Sequence, residues 1–246
     1  MHTSTTESLH FAEYVSPGHP DRLADSIAER IVALAPRNRH QKTLIGVEVA
    51  VHDDQVFIDG RFATENNHPD SAKDTARKMD QLIRDAFEAA GYGEVWNPHP
   101  EKLQVTNVSC IETLLEGEPD IREISDDQNL VIGYAEPSPE TNFLPPVHFL
   151  ANRLGRALWK WRGQHAGTYG PDFKVLPLLR RIQAKDGPRW QWERLTLSLQ
   201  HRRGVYYERQ HGDLFPFLEK TLAQLEKTTG LEGIASSFDI DHLHLN

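Results

Sequence analysis

Residues Tyr14–Ile31, YVSPGHPDRLADSIAERI, govern how the rest of the chain is read. Gly18 supplies a turn, and Pro20 suits the first helical position, where its missing N–H would have had no partner. Asp21 follows where the helix dipole favours negative charge. Behind them Leu23, Ile27 and Ile31 recur at helical spacing, with Ala24, Ala28 and Leu34 beside them, which predicts a helix with one buried stripe. His19 is thereby set on a fixed platform. A helix N-terminus is a ready anion site, and a histidine at its lip with an Asp able to hold Mg²⁺ suits a polyphosphate. The same Gly-His-Pro-Asp run also reads as an ordinary loop before a capped helix.

Outward from this stretch, Leu9–Val15 reads as a strand entering the turn, and Pro36 ends the helix. Lys42–Val51 and Val56–Phe62 are β-rich runs around His52-Asp53-Asp54-Gln55, a hairpin. Ile45, Val47, Val49 and Val51 share one face, which leaves Glu48 on the other with Leu44, Gly46 and Ala50. That Glu reads either as a site carboxylate or as an exposed strand residue. A helix follows over Ser71–Ala90, then a strand over Leu103–Glu112, and the acidic stretch Leu114–Asp127 marks a boundary.

From Asn129 the order begins again. Asn129–Ala135 reads as a strand, Pro145–Arg162 as a helix, and Lys174–Ile182 with Trp190–His201 as a hairpin. A helix over Asp213–Thr228 and a strand over Phe238–Leu245 complete it. Both halves read β-α-β-β-α-β. The predicted fold class is therefore α+β: two similar domains, 1–113 and 128–246, each a mainly antiparallel sheet with helices on one face.

Composition narrows the function classes. With 27 basic against 36 acidic residues the net charge is −9, which argues against a nucleic-acid backbone as the main partner. Cys110 is the single cysteine, so no disulfide framework and no cysteine metal site is expected, and it reads as a buried small residue. No apolar run is long enough for a membrane, and MHTSTTES does not read as a signal peptide. A cytoplasmic protein is expected.

The stretch Tyr14–Ile31 resembles the opening signature of S-adenosylmethionine synthetases, in which Gly-His-Pro-Asp-Lys follows a Ser and leads into such a helix. Further resemblance comes in order along the chain. Ile132-Gly133-Tyr134-Ala135, preceded by Asp127-Gln128, is similar to the family's Gly-Asp-Gln-Gly…Gly-Tyr-Ala. Gly170-Pro171-Asp172-Phe173-Lys174 resembles its Arg-Pro-Asp-Ala-Lys, and Leu197-Ser198-Leu199-Gln200-His201 its Leu-Ser-Thr-Gln-His. The fold this implies is the synthetase type, of which the chain matches the first two of three related domains.

The resemblance implies attack of methionine sulfur on C5′ of ATP, with triphosphate leaving and then being hydrolysed, and with Mg²⁺ and K⁺ as ions. Carried over by position, His19 donates to the leaving oxygen and binds the nucleotide with Arg22, while Asp21 holds Mg²⁺. Lys174 grips the phosphates beside Asp172. Glu48 is tied to potassium, and Asp127 lies by methionine and adenosine. Taken without the resemblance, Lys174 reads as a strand lysine and Asp127 as a charged loop tip.

Departures from the family pattern qualify the picture. Its Gly-Glu is here Gly60-Arg61, a charge inversion that favours a carboxylate over an ammonium. Its Gln-Ser-Pro-Asp-Ile is Gly117-Glu118-Pro119-Asp120-Ile121. Arg22 replaces a Lys, Gly170 an Arg and Phe173 an Ala. The family's adenine-holding Arg-Phe and later Gly-rich and basic segments have no counterpart after Leu243-His244-Leu245-Asn246. Two functions are therefore expected to compete. One is a subunit of a split methionine adenosyltransferase, acting on methionine or a related thioether in a dimer or higher oligomer, with a second protein chain carrying the third domain. The other is a non-catalytic nucleotide-binding or regulatory relative. A separate reading places a metal at Asp239, Asp241, His242 and His244, whose polar character equally suits a strand end.

Overall fold

The computed structural model describes residues 7–35, 42–65, 69–118, 130–185 and 187–246. The chain divides into two compact units, a first comprising residues 17–132 and a second comprising 1–16 with 133–246. Two strands open the chain, β1 (Glu7–Phe11) and β2 (Tyr14–Val15), and both belong to the second unit.

The first unit starts with helix α1 (Pro20–Val32), whose Leu23, Ile27 and Ile31 are all buried, as the apolar stripe requires. β3 (Thr43–His52) and β4 (Gln55–Thr64) form the expected antiparallel hairpin, turning at Asp53 in the left-handed region with φ 50°. α2 (Pro69–Ala90) follows. Its Met79, Ile83 and Phe87 join the α1 stripe, Val56, Ile58 and Phe62 in one core, against which Ile45, Val47, Val49 and Val51 pack. The expected single strand over Leu103–Glu112 is two, β5 (Gln104–Asn107) and β6 (Cys110–Thr113), both parallel to β4. Asn107 causes the break: its Oδ1 accepts the Ser109 N–H at 3.0 Å, a local bond that competes with the ladder.

The second unit carries α3 (Pro146–Gln164), the long hairpin β7 (Tyr169–Ala184) and β8 (Gly187–His201), α4 (Tyr207–Thr229) and β9 (Leu243–Leu245). Strand order is β1-β7-β8-β9, with β2 also on β7; β1 and β2 run antiparallel to β7, and β9 runs parallel to β8. Leu195, Leu197 and Leu199 point into a core shared with Leu150, Leu154 and Leu158 of α3 and Leu214, Leu218 and Leu222 of α4.

The fold is thus α+β: the first unit runs α1-β3-β4-α2-β5-β6, and the second joins β1 and β2 to α3-β7-β8-α4-β9. Three strand expectations are corrected. Leu9–Val15 is broken at Ala12-Glu13, and it pairs with β7 rather than with the strands of the N-terminal half. Residues 130–135, expected as the strand opening the second half, form no strand, because a β-rich run becomes one only where a ladder receives it. Phe238–Leu245 shortens to β9 behind a 3-10 turn over Ile240–His242.

Candidate active site

In the first unit the site residues gather at the start of α1. His19 is itself the N-cap, extended at φ −68° and ψ 139°, and its Nδ1 accepts the Asp21 backbone N–H at 3.2 Å. That bond requires Nδ1 to carry no proton, so the neutral ring holds its proton on Nε2 as a donor. The His19 side chain is 13% exposed, whereas that of Asp21 is 77% exposed and places Oδ2 3.6 Å from the same Nδ1. Arg22 points along the helix to Asp25 at 3.4 Å. Beneath them the buried Tyr92 donates its hydroxyl to the Gly18 carbonyl at 2.7 Å and so fixes the turn that presents His19.

Glu48 is separate from this group. It is exposed on the sheet face opposite the one that packs on α1 and α2, and it stands directly across from Asp59. Asp59 accepts the Gly60 N–H at 2.6 Å.

In the second unit Asp172 and Lys174 alternate with the buried Phe173 on β7 and so share one face. Lys174 Nζ lies 3.7 Å from Glu13 Oε1. Ser16 organises this strand: wholly buried, it donates Oγ–H to the Pro171 carbonyl at 2.7 Å and accepts the Phe173 N–H at 2.9 Å. Asp127 lies outside the described residues.

Several departures from the family pattern acquire physical reasons. Arg61 donates to Glu118 at 2.9 Å and to Glu112 at 3.3 Å, with side chains 20%, 10% and 51% exposed in that order. Burial works against its charge, yet the carboxylates of Glu118 and Glu112 and the Cys110 sulfur outweigh it and hold the guanidinium above its usual pKa. The carboxylate that Arg61 was expected to favour is thus this chain's own. At Gly170 a Cβ would meet the Gln200 side chain, which would have to swing aside. Phe173 fills the core between Tyr14 and Trp159, each ring 6.2 Å away.

Two expectations fail. Cys110 is half-buried rather than buried, against Arg61 at 3.6 Å. Asp239 and His242 form a capping box on the 3-10 turn, and no group of three or more His, Cys, Asp or Glu side chains could hold a metal ion among the described residues. Asp239 and His242 are occupied in capping the start of that turn. The sequence reading missed three contributors, namely Tyr92, the buried Ser16 and the Arg61–Glu118 pair. Tyr92 stands in the sequence only as part of Gly91-Tyr92-Gly93, just past the Ser71–Ala90 helix, and Glu118 only as a departure from a motif.

Residues 7–126 match the family model described as the S-adenosylmethionine synthetase N-terminal domain. Among relatives, the S-adenosylmethionine synthase of Brachyspira hyodysenteriae is 25% identical over 209 residues, which is 82% of this chain and 52% of that protein. That of Methylorubrum populi is 29% identical over 208 residues, 80% of this chain and 49% of that one. The chain spans about half the length of the curated relatives it matches. Its fold is similar to that of an unusual S-adenosylmethionine synthetase from Campylobacter jejuni, with a TM-score of 0.64 at 19% identity over 97% of this chain and 57% of that one.

Proposed function

Since the chain belongs to the S-adenosylmethionine synthetase family, we propose that it is one subunit of a split methionine adenosyltransferase whose remaining site residues come from a partner chain. The observation that carries this reading is the His19 cap. With Nδ1 committed to the Asp21 N–H, Nε2–H is the donor suited to a leaving triphosphate oxygen. In the reaction the methionine sulfur forms a bond to C5′ of ATP as the C5′–O bond breaks. The triphosphate takes the electron pair, and hydrolysis of triphosphate follows. Charge grows on the departing oxygen, so a donor fixed there before the reaction lowers the barrier at no cost in reorganisation. In this reading Lys174 grips phosphate, steadied by Glu13, and Asp172 and Asp127 contact substrate.

The residues fit the ions the family implies. Mg²⁺ takes one or two carboxylates with substrate phosphate oxygens and water, which the exposed Asp21 can meet. Glu48 and Asp59 are like charges directly opposite on one face, a destabilising pair that a cation such as K⁺ relieves. Such ions neutralise triphosphate charge when bound. A cytoplasmic location and an oligomer belong to the same proposal; among the described residues no helix is long and apolar enough to cross a membrane.

A second reading, a non-catalytic nucleotide-binding subunit, draws on Arg61. The resemblance puts there a Glu that helps bind the amino acid, whereas Arg61 is held by Glu118 and Glu112. Calorimetry on the chain with its partner separates the two. Methionine binding in the presence of ATP supports the transferase, and ATP binding without methionine supports the second reading. Formation of S-adenosylmethionine by the mixed chains tests the first directly, and absence of turnover with a partner bearing the remaining segments counts against it.

A further inference from the structure

Leu214, Leu218 and Leu222 turn one face of α4 into the core of the second unit. Tyr207, His211 and Phe215, each one turn apart, instead line a cavity of about 650 Å³, walled on its other side by Leu243 and His244 of β9. Small-molecule sites occupy about 300–1,000 Å³. The walls are preformed. The Tyr207 and His211 rings lie 4.3 Å apart, Phe215 stacks on Phe238 at 5.6 Å, and the capping box of Asp239 and His242 fixes the turn that brings Asp241 to the cavity. None of the residues assigned above to phosphate, Mg²⁺ or K⁺ lines it.

His211 gives this cavity its polar end. It is 8% exposed, and neither ring nitrogen has a hydrogen-bond partner among the described residues. Burial disfavours the charged ring, so the neutral imidazole presents one N–H and one lone pair. A further acceptor stands beside it. Pro216, inside α4, has no N–H to give the Gly212 carbonyl one turn earlier, and both residues line the same cavity. Buried polar groups are ordinarily satisfied, so a donor and acceptors left open in an apolar cavity mark where a ligand supplies the partners.

The lining also selects the occupant. Tyr207, His211, Phe215 and His244 offer ring faces for stacking. Among the lining residues there is no Lys or Arg, whereas the exposed Glu208 and Asp241 are acidic, so an anion is repelled. Any charged group set against the neutral, buried His211 would lose its hydration without a counter-charge. We propose that this cavity binds an uncharged, planar heteroaromatic molecule whose ring N–H and ring nitrogen pair with His211 and the Gly212 carbonyl. The site is independent of the transferase reading.

The test is NMR of the full chain carrying nitrogen-labelled histidine, titrated with two probes. Benzimidazole has one ring N–H and one ring nitrogen, and N-methylindole has a similar shape with neither. Support consists of saturable movement of the His211 nitrogen resonances with benzimidazole, and affinity for N-methylindole at least ~10-fold weaker. This comparison is made on the native protein and needs no variant to fold. His211→Phe keeps a ring and removes both nitrogens, so it should weaken benzimidazole binding ~10-fold or more while leaving N-methylindole within a few-fold. His211→Gln, which keeps a donor and an acceptor, should recover part of the loss. Resonances that benzimidazole leaves unmoved would overturn the proposal and leave the cavity to water. Equal affinity for the two probes, or movement of the same resonances by inorganic phosphate, would overturn it as well.

Discussion

Arg61 and Glu118 show how two substitutions can be one event. Each taken alone is a charge where the family resemblance has none or the opposite one, and the structure joins them at 2.9 Å with Glu118 nearly buried. Glu118 also accepts the Leu115 N–H at 2.9 Å, so the pair anchors the backbone at the start of the acidic stretch. Removing the guanidinium leaves a desolvated carboxylate. Arg61→Ala should therefore cost on the order of 2 kcal/mol, and a cycle with Glu118→Gln should show coupling of about 0.5–3 kcal/mol in denaturant titrations. Additive costs would mean that the contact carries no energy. Tyr92→Phe is the corresponding test for the histidine turn. Loss of the bond to the Gly18 carbonyl should lower stability by about 1 kcal/mol and reduce turnover of the complemented enzyme, with little change in ATP affinity. That His19 caps its own helix was not legible in the sequence, because the usual capping side chains are Ser, Thr, Asp and Asn. Tyr92 was equally hidden, since its partner lies 74 residues away.

At the level of elements, what the sequence disclosed and what it concealed divide by distance along the chain. The hairpins β3–β4 and β7–β8 were legible because each strand's neighbour in the sheet is also its neighbour in sequence, and alternation alone fixes their faces. The helices were legible from their stripes, with ends moved by a few residues. Edge strands were not. β1 is held by β7 and by Arg180, which bonds Glu7 173 residues away as well as Glu193 on β8, and no local pattern announces such a partner. Residues 130–135 carry the same apolar signal without the ladder, so an identical reading gave a strand in one place and an exposed segment in the other. α4 offers a test of its own. His211 is buried beside a cavity of about 650 Å³ lined by Tyr207, Phe215, Leu243 and His244, with no partner for either ring nitrogen. Burial, with a smaller push from His244, lowers its pKa below the ordinary imidazole value. The unfolded chain then binds this proton more readily than the folded one. Its contribution to stability is full above the ordinary value of about 6.5 and is lost as pH falls through it. Between pH 7.5 and 5.5 the native protein should lose stability more steeply than His211→Gln, by at most about 1.4 kcal/mol per pH unit. Parallel slopes would show that the histidine is solvated.

The whole molecule is a two-unit α+β chain of 246 residues and net charge −9, matching about half of each synthase it resembles. In the proposed reading phosphate is held locally rather than by the overall charge, by His19, Arg22 and Lys174 on an acidic protein. The most direct measurement is S-adenosylmethionine formation from ATP and methionine by the chain with its partner, comparing the native protein with His19→Asn. Asn keeps a good helix cap and so leaves the fold intact, but it does not reproduce the Nε2–H donor. The account predicts a fall of roughly 100- to 1000-fold in kcat with ATP affinity within a few-fold. Unchanged turnover in His19→Asn would contradict it.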